Sequence, residues 1–296
     1  MSFNWLFVLE VTITGLLVGL MYSLIALGFV LIYKASGIFN FAQGAMTLFA
    51  AFALVSLSAF LSLGFSLVGV LVIMVALAYV VERVMLRPLV ARPALALFMA
   101  TIGLGFFLEG VAQAIWGTQP RGLDIGITET SYDLGGILIS KMDLFGAGLS
   151  GVLLFCLVWF FQKTGTGRAL RAVSDDHEAA LSVGIPLRSA WAITWAIAGL
   201  VALAAGILWG TRLGVQFSLT LIALKALPVL IIGGFDSVPG AIIGGLIVGS
   251  SESLAEVLLG PYVGGGIKDF SPYLLAVVFL WARPYGLFGR EIIERV

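Results

Sequence analysis

The only histidine in the chain stands in a pattern that begins like a zinc-binding helix and then departs from it. His177 and Glu178 match the start of H-E-x-x-H, but Leu181 occupies the place of the second histidine. A nucleophilic serine would have to use the same His177 as its base. The sequence also contains no G-x-x-x-x-G-K-[ST] phosphate cradle. We therefore expect neither a metal site nor catalysis in this chain.

Two amide side chains, Asn40 and Gln43, lie in a run without any charge that extends from Ala35 to Val81. An unpaired amide is costly in hydrocarbon, so both must face protein or water, and their three-residue spacing predicts one helix face, about 5–6 Å apart. One hypothesis is that Asn40 caps a helix beginning there and that Gln43 forms an interhelical hydrogen bond. The other is that Asn40, Gln43 and Gly44 line a passage for a solute.

Three charged residues, Lys225, Glu252 and Glu256, lie in the later apolar segments. Glu252 and Glu256 share a helix face through their i,i+4 spacing. A charge deep in a bilayer costs about 2.5–3.5 kcal/mol on insertion scales, so we predict an intramembrane ion pair between Lys225 and Glu252. The alternative is that each side chain extends separately to the membrane surface.

The polar stretch at residues 174–186 reads S-D-D-H-E-A-A-L-S-V-G-I-P. Asp175 as N-cap and Glu178 three residues later would form a capping box, and Gly184 before Pro186 would end the helix. The pattern predicts a helix of about two turns, which is too short to be stable alone in water, so another surface must pack on it. The alternative is an ordinary solvated connector.

The composition indicates the medium in which these residues act. Hydrophobic residues make up 60% of the 296 and charged residues 11%, whereas about a quarter of a soluble domain is charged. The mean hydropathy is +1.12. We predict an all-α polytopic integral membrane protein with a single transmembrane domain over residues 1–296. A net charge of zero gives no indication of a nucleic-acid partner.

Nine apolar segments are candidates for crossing about 30 Å of hydrocarbon, which takes about 20 helical residues. They are residues 6–33, 38–62, 64–82, 94–116, 145–162, 189–210, 219–234, 238–259 and 271–288. The segment 219–234 contains Pro228, and a glycine-rich break follows it, so residues 219–245 either cross or form a broken, re-entrant element. We expect eight to ten transmembrane helices.

Glycines four residues apart predict that helix backbones approach closely. The pairs are Gly15 and Gly19, Gly206 and Gly210, Gly240 and Gly244, and Gly245 and Gly249.

The distribution of Lys and Arg predicts the orientation in the membrane. Basic residues cluster within 83–92, 163–188 and 283–295, and we expect these three regions to be cytoplasmic. The acidic connection 117–144 is then external, and the C-terminus is cytoplasmic. Nine crossings would leave the N-terminus outside, and an even number would leave it inside.

Five motifs, spread from one end of the chain to the other, carry a family resemblance. They are GLLVGLMYSLIALGFVLIYKASGIFNFAQG, EAA with a glycine four residues later, KALPVLIIGGFDSVPGAIIGG, GSSES and RPYGLFGR. In these motifs the chain resembles the LivH-type permease subunit of branched-chain amino acid ABC importers. The resemblance implies a subunit of a binding-protein-dependent importer that forms the membrane passage in a bacterial inner membrane.

The resemblance also implies partners and a docking element. The cytoplasmic loop 163–188 would hold the coupling helix that docks on an ATPase, with Asp175, Glu178, Ala179, Ala180 and Gly184 as its matching residues. The implied partners are a homologous second permease of the LivM type, two ATPases of the LivG and LivF types, an external solute-binding protein and the lipid bilayer. ATP and Mg²⁺ would be bound by the ATPases, and no cofactor by this chain.

The chain departs from the family pattern at its first polar motif. LivH-type permeases usually carry N-F-A-H-G followed by an acidic residue, whereas residues 40–45 here read N-F-A-Q-G-A. The expected solutes are therefore branched-chain or related amino acids, or small organic acids. The alternative from another class is a self-contained channel or secondary transporter for a small polar solute, which needs no coupling helix.

Overall fold

The computed structural model describes residues 5–37, 39–89, 92–128, 130–175 and 177–289, which are mostly helical. The helices are α1 Trp5–Ser36, α2 Gln43–Ser58, α3 Leu63–Val80, α4 Arg87–Leu89, α5 Ala94–Trp116, α6 Lys141–Lys163, α7 Gly165–Asp175, α8 His177–Ser182, α9 Leu187–Leu213, α10 Ile222–Gly233, α11 Val238–Val263 and α12 Ile267–Ala282. A π-helical turn, Val81–Leu86, joins α3 to α4, and a 3₁₀ helix, Phe217–Leu221, leads into α10.

Among the described residues, six helices are long and apolar enough to cross a membrane. They are Trp5–Ser36, Leu63–Leu89, Leu95–Trp116, Lys141–Lys163, Leu187–Leu213 and Val238–Val263. Two shorter apolar helices, Gln43–Ser58 and Phe217–Gly233, accompany them, and α12 has 16 residues. Each of the nine predicted segments thus contains a helix, as expected where only intrahelical hydrogen bonds can satisfy the backbone. The number of crossings beyond six stays a prediction.

A short β-hairpin departs from the all-helical prediction. Strands β1 Ser131–Asp133 and β2 Leu138–Ser140 pair antiparallel within the connection 117–144, with Tyr132 opposite Ile139. Gly135 and Gly136 both have positive φ, and the Gly136 amide donates to Asp133 Oδ1 at 2.7 Å. The D-L-G-G sequence therefore forms the turn, because glycine adopts this conformation without a Cβ clash.

The chain divides into two compact units. The first is drawn from residues 1–27, 126–153 and 225–296, and the second from residues 28–125 and 154–224. Three of the boundaries fall inside α1, α6 and α10, so continuous helices and not linkers connect the units there. The interpretation of residues 1–296 as one transmembrane domain stays a prediction.

In the second unit, α2 forms the centre and is buried along most of its length. Glycines of α9 allow close packing around it: a Cβ added at Gly206 would lie 2.8 Å from the Thr47 carbonyl oxygen of α2. The Phe52 ring stacks on Trp116 of α5 with centroids 5.6 Å apart, and Trp116 Nε1 donates to Ser56 Oγ at 2.6 Å. A helix of 16 residues is therefore held by protein on several sides.

In the first unit, the predicted glycine contacts are confirmed between α1 and α11. A Cβ added at Gly15 would lie 2.7 Å from the Gly249 carbonyl oxygen, and one at Gly19 would lie 2.5 Å from that of Gly245. Ser23 Oγ, one turn further along α1, lies 3.1 Å from the Ile242 carbonyl oxygen of α11. The absence of side chains at these positions lets the two helix backbones touch.

Candidate functional site

The amide side chains of Asn40 and Gln43 meet in the interior of the second unit. Both residues are fully buried. Asn40 Nδ2 donates to Gln43 Oε1 at 3.3 Å, and Gln43 Nε2 donates to the Ala198 carbonyl oxygen of α9 at 3.3 Å. Pairing of this kind removes most of the cost of burying an amide.

The position of Asn40 differs from two expectations, that it caps a helix and that it shares a helix face with Gln43. Helix α2 begins at Gln43, and Ala42 is its N-cap, so Asn40 lies in the preceding turn and is neither the cap nor on a helix face. The reason is local: Asn40 Oδ1 accepts a hydrogen bond from the Ala42 amide at 3.1 Å, which turns the chain before the helix starts. The two amides meet through this turn and not through helical spacing.

Thr101 of α5 is a third polar member that sequence reasoning missed. Its hydroxyl oxygen lies 3.2 Å from the Phe39 carbonyl oxygen and accepts from the Phe41 amide at 3.3 Å. The one hydroxyl proton is also within reach of the Phe98 carbonyl oxygen in α5, at 2.9 Å. The hydroxyl therefore holds the segment that carries Asn40 through its bond from the Phe41 amide. A threonine in an apolar run is common, and nothing in the sequence distinguishes this one.

Gly44, the third predicted passage residue, is a point of close packing. A Cβ added there would clash with the Thr220 carbonyl oxygen and lie 3.0 Å from Ala223 Cβ. Asn40, Gln43 and Gly44 are all buried against other parts of the chain in this conformation.

The first unit brings together the charges predicted to pair and adds a third one. Lys225 Nζ lies 3.1 Å from Glu252 Oε1 and 2.9 Å from Asp269 Oδ1. The side chains differ in exposure: 67% for Asp269, 23% for Lys225 and 10% for Glu252. Tyr22 of α1 donates its hydroxyl to Glu252 Oε1 at 3.4 Å. Sequence reasoning missed Asp269 and Tyr22 because only the folded chain places them beside residues far away in sequence.

Glu256, one turn after Glu252, has different hydrogen-bond partners. Its two carboxylate oxygens accept from the amides of Gly266 at 3.1 Å and Lys268 at 2.9 Å. These amides lie at the start of α12, where unpaired N–H groups and the helix dipole favour an anion. Glu256 therefore anchors the glycine turn between α11 and α12.

The loop 163–188 contains two helices and not one. The predicted short helix corresponds to α8, His177–Ser182, and it is preceded by the 11-residue amphipathic helix α7. Helix α7 ends at Asp175 and α8 begins at His177. The capping box itself stays a prediction, because residue 176 and the side chain of Glu178 lie outside the described part of the chain.

The end of α8 matches the expectation. Gly184 has φ of +83°, and its amide donates to the Leu181 carbonyl oxygen at 3.0 Å. The Ile185 amide donates to the Ala180 carbonyl oxygen at 3.0 Å, so the last carbonyls of the helix are satisfied by the turn.

Ala180 anchors α8 to its own chain. It is buried in a small apolar cluster with Leu170 and Val173 of α7 and Ala190 of α9. Ala179, Leu181 and Val183 are exposed, with Leu181 52% and Val183 74% accessible. Helices α7 and α9 thus cover one side of α8. On its other side, apolar side chains remain exposed.

The C-terminal motif R-P-Y-G-L-F-G meets the glycine-rich break that follows α10. The Leu287 amide donates to the Ile232 carbonyl oxygen at 2.8 Å, and the Phe288 amide donates to that of Gly233 at 3.1 Å. A Cβ added at Gly234 would lie 2.6 Å from the Gly289 amide nitrogen. Two motifs that are far apart in sequence therefore form one structural feature at the end of α10.

Within the described ranges, no three His, Cys, Asp or Glu side chains are grouped so that they could hold a metal ion.

Known proteins are similar to this chain along nearly its whole length. Residues 11–282 match the model of the family described as "Branched-chain amino acid transport system / permease component". The chain is 28% identical to the high-affinity branched-chain amino acid transport system permease protein BraD of Pseudomonas aeruginosa, over 97% of this chain and 98% of that protein. It is also 28% identical to the corresponding permease LivH of Escherichia coli K12, over the full length of both chains.

A relative from an archaeon shows the same similarity. The probable branched-chain amino acid transport permease protein LivH of Methanocaldococcus jannaschii is 28% identical, over 90% of this chain and 88% of that protein. The match of residues 11–282 and the six long apolar helices show that this multi-pass membrane protein belongs to the family of permease components of branched-chain amino acid transport systems, which are transport subunits and not enzymes.

Proposed function

We propose that this chain forms the membrane passage of a binding-protein-dependent ABC importer for branched-chain or related amino acids, or small organic acids. The observation that carries the proposal is the family match over residues 11–282, supported by relatives of the same length that are named as branched-chain amino acid permeases. The location proposed for the importer is the bacterial inner membrane.

The proposed partners follow from the same match. They are a homologous second permease of the LivM type, ATPases of the LivG and LivF types, and an external solute-binding protein. The ATPases bind and use ATP and Mg²⁺. This chain then contributes the passage and the contact through which ATP hydrolysis is transmitted.

That contact is assigned to α8, with Asp175, Glu178, Ala179, Ala180 and Gly184 in and around it. Ala180 faces the chain's own apolar cluster, and exposed Leu181 and Val183 offer apolar surface to a partner. Exposed apolar residues in a polar loop favour a protein partner, because water alone does not stabilise them. A groove on the ATPase is the proposed occupant.

The topology proposed for the chain has nine crossings. It counts the six long helices together with α2, Phe217–Gly233 and α12. The loop 163–188 and the C-terminus are then cytoplasmic, and the connection 117–144 is external. This arrangement follows the distribution of Lys and Arg.

Asn40, Gln43 and Gly44 are proposed to line the passage when α2 separates from its neighbours. Their burial means that solute reaches them only after such a movement. We expect Gln43→Leu to lower uptake per folded molecule, and Thr101→Val, which loosens the same turn without changing an amide, to leave it unchanged. Equal effects of the two variants on uptake per folded molecule would contradict the passage role.

Co-expression with candidate partners tests the function as a whole. The permease purified with a LivM-type permease and both ATPases should take up leucine, isoleucine or valine into proteoliposomes only when ATP and the binding protein are present. Uptake by the permease alone, with no ATPase retained during purification, would instead favour the self-contained channel or secondary transporter.

A further inference from the structure

The cluster around Lys225 holds a buried carboxylate with unused hydrogen-bonding capacity. Glu252 Oε1 accepts from Lys225 Nζ and from the Tyr22 hydroxyl, whereas Glu252 Oε2 is buried and has no hydrogen-bond partner among the described residues. A carboxylate offers about four acceptor positions, and burying an oxygen without a partner is unfavourable. Glu252 is therefore prepared to accept a further donor.

Lys225 has a second carboxylate partner, so another cation can replace it at Glu252. Its ammonium group bonds both to buried Glu252 at 3.1 Å and to exposed Asp269 at 2.9 Å. An ammonium group carries three donors, so Lys225 can keep Asp269 while it releases Glu252. The charge that would then need compensation is that of Glu252 alone.

The side chains of the cluster form a series from exposed to buried. Exposure of the side chains falls from 67% at Asp269 through 23% at Lys225 to 10% at Glu252. A small cation that arrives at the exposed end meets first a carboxylate, then the resident ammonium, and finally the buried carboxylate. An ammonium cation could replace Lys225 there without leaving an unpaired buried charge, and its N–H groups could also reach the free acceptor positions of Glu252.

We propose that Glu252 accepts the α-ammonium group of the transported solute, with Lys225 as the resident group that it displaces towards Asp269 and Tyr22 as the residue that positions the carboxylate. This inference rests on the proposed function and narrows it, because it selects amino acids over acids that lack an amine.

Three probes that share the isobutyl group of leucine separate the two charges of an amino acid. They are leucine, 3-methylbutylamine, which keeps the ammonium, and 4-methylpentanoate, which keeps the carboxylate. Binding to the detergent-purified complex of permease and ATPases is measured as the concentration-dependent rise of Tm. In the wild type, leucine and 3-methylbutylamine should bind at least about tenfold more tightly than 4-methylpentanoate.

Glu252→Gln should weaken binding of leucine and 3-methylbutylamine by about tenfold or more and leave 4-methylpentanoate unchanged. The matched control is Glu256→Gln, which changes a carboxylate one turn away that is already engaged with α12. This control should not alter the order of the three probes. Equal weakening of all three probes in Glu252→Gln, or no weakening, would overturn the proposal.

Lys225→Met decides the matter if Glu252→Gln does not assemble. Removal of the resident ammonium leaves Glu252 without its cation, so 3-methylbutylamine should raise the Tm of this variant more than that of the wild type. A rise equal to or smaller than in the wild type would overturn the proposal.

Failure of the proposed function has a different result from failure of this inference. If the wild-type complex, with ATP and the binding protein, takes up none of leucine, isoleucine, valine and 4-methylpentanoate, the proposed function is wrong. If it takes up any of these solutes but 4-methylpentanoate binds as tightly as leucine, only the role of Glu252 is wrong.

Discussion

At the scale of single residues, the polar side chains of the two candidate sites are connected in a pair and a triplet. Asn40 contacts Gln43, Gln43 contacts the Ala198 carbonyl oxygen, and Lys225 bridges Glu252 and Asp269. Each connection satisfies a group that would be costly in an apolar interior. The residues most sensitive to substitution should therefore be those with partners on two sides.

Thr101 is the clearest case, since its hydroxyl contacts both Phe39 and Phe41. Thr101→Val keeps the shape but leaves the part-buried Phe41 amide without its acceptor, which should lower the free energy of unfolding by about 1–3 kcal/mol. Thr194→Val is the control: Thr194 is equally buried, but among the described residues its hydroxyl bonds only to the Ala190 carbonyl oxygen within α9, so the change should be nearly neutral. Thermal unfolding in detergent compares the two, and equal Tm values would show that the Thr101 contacts are unimportant.

At the scale of helices, α2 is held by glycine contacts that leave no room for a methyl group. Gly44→Ala would push a Cβ against the Thr220 carbonyl oxygen and Ala223, and we expect a loss of about 1–3 kcal/mol in stability. Gly103→Ala in α5 is the matched control, because no atom of the described part of the chain lies within 4 Å of an added Cβ there. That change should be neutral or stabilise by up to about 1 kcal/mol through helix propensity. A Gly44→Ala protein with wild-type Tm would show that α2 can shift freely at this contact.

Helix α8 presents one face to its own chain and, in our proposal, the other to an ATPase. Leu181→Glu changes an exposed side chain, so the permease should still fold while ATPase co-purification falls severalfold. Ala180→Glu places an unpaired charge in the cluster with Leu170 and Val173 and should reduce the amount of folded permease instead. Size-exclusion profiles and the amount of retained ATPase separate these effects. Full ATPase retention by Leu181→Glu would argue against docking through α8.

The positions of the helices could be predicted from the sequence because each depends on its own apolar run. The contacts between distant residues could not be predicted in the same way. Asp269 lies in the first turn of α12, and only the folded chain brings it within 2.9 Å of Lys225. By its spacing Glu256 shares a helix face with Glu252, yet its hydrogen-bond partners are amides at the start of α12. Local motifs also could not show that a further helix, α7, precedes α8 and ends at Asp175.

At the scale of the whole molecule, the number of crossings decides which groups face the same compartment. The six long helices do not settle this, because Phe217–Gly233 is short and contains Pro228. The end of this helix is occupied by the C-terminal segment, whose Leu287 and Phe288 amides bond to the Ile232 and Gly233 carbonyl oxygens. The C-terminal segment therefore lies on the side of the membrane where Phe217–Gly233 ends.

Single cysteines in a Cys156→Ala background test the topology. Thr166, Leu134 and Tyr285 are exposed positions in the loop 163–188, the β-hairpin turn and the C-terminal segment. One crossing, α6, separates Leu134 from Thr166, so a membrane-impermeant maleimide should label Leu134→Cys but not Thr166→Cys in intact cells. Between Thr166 and Tyr285 lie α9, Phe217–Gly233, α11 and α12. If all four cross, Tyr285→Cys is protected like Thr166→Cys and reacts only after permeabilisation, which is the result we expect. If Phe217–Gly233 is re-entrant, the crossings between them number three and Tyr285→Cys is labelled from outside.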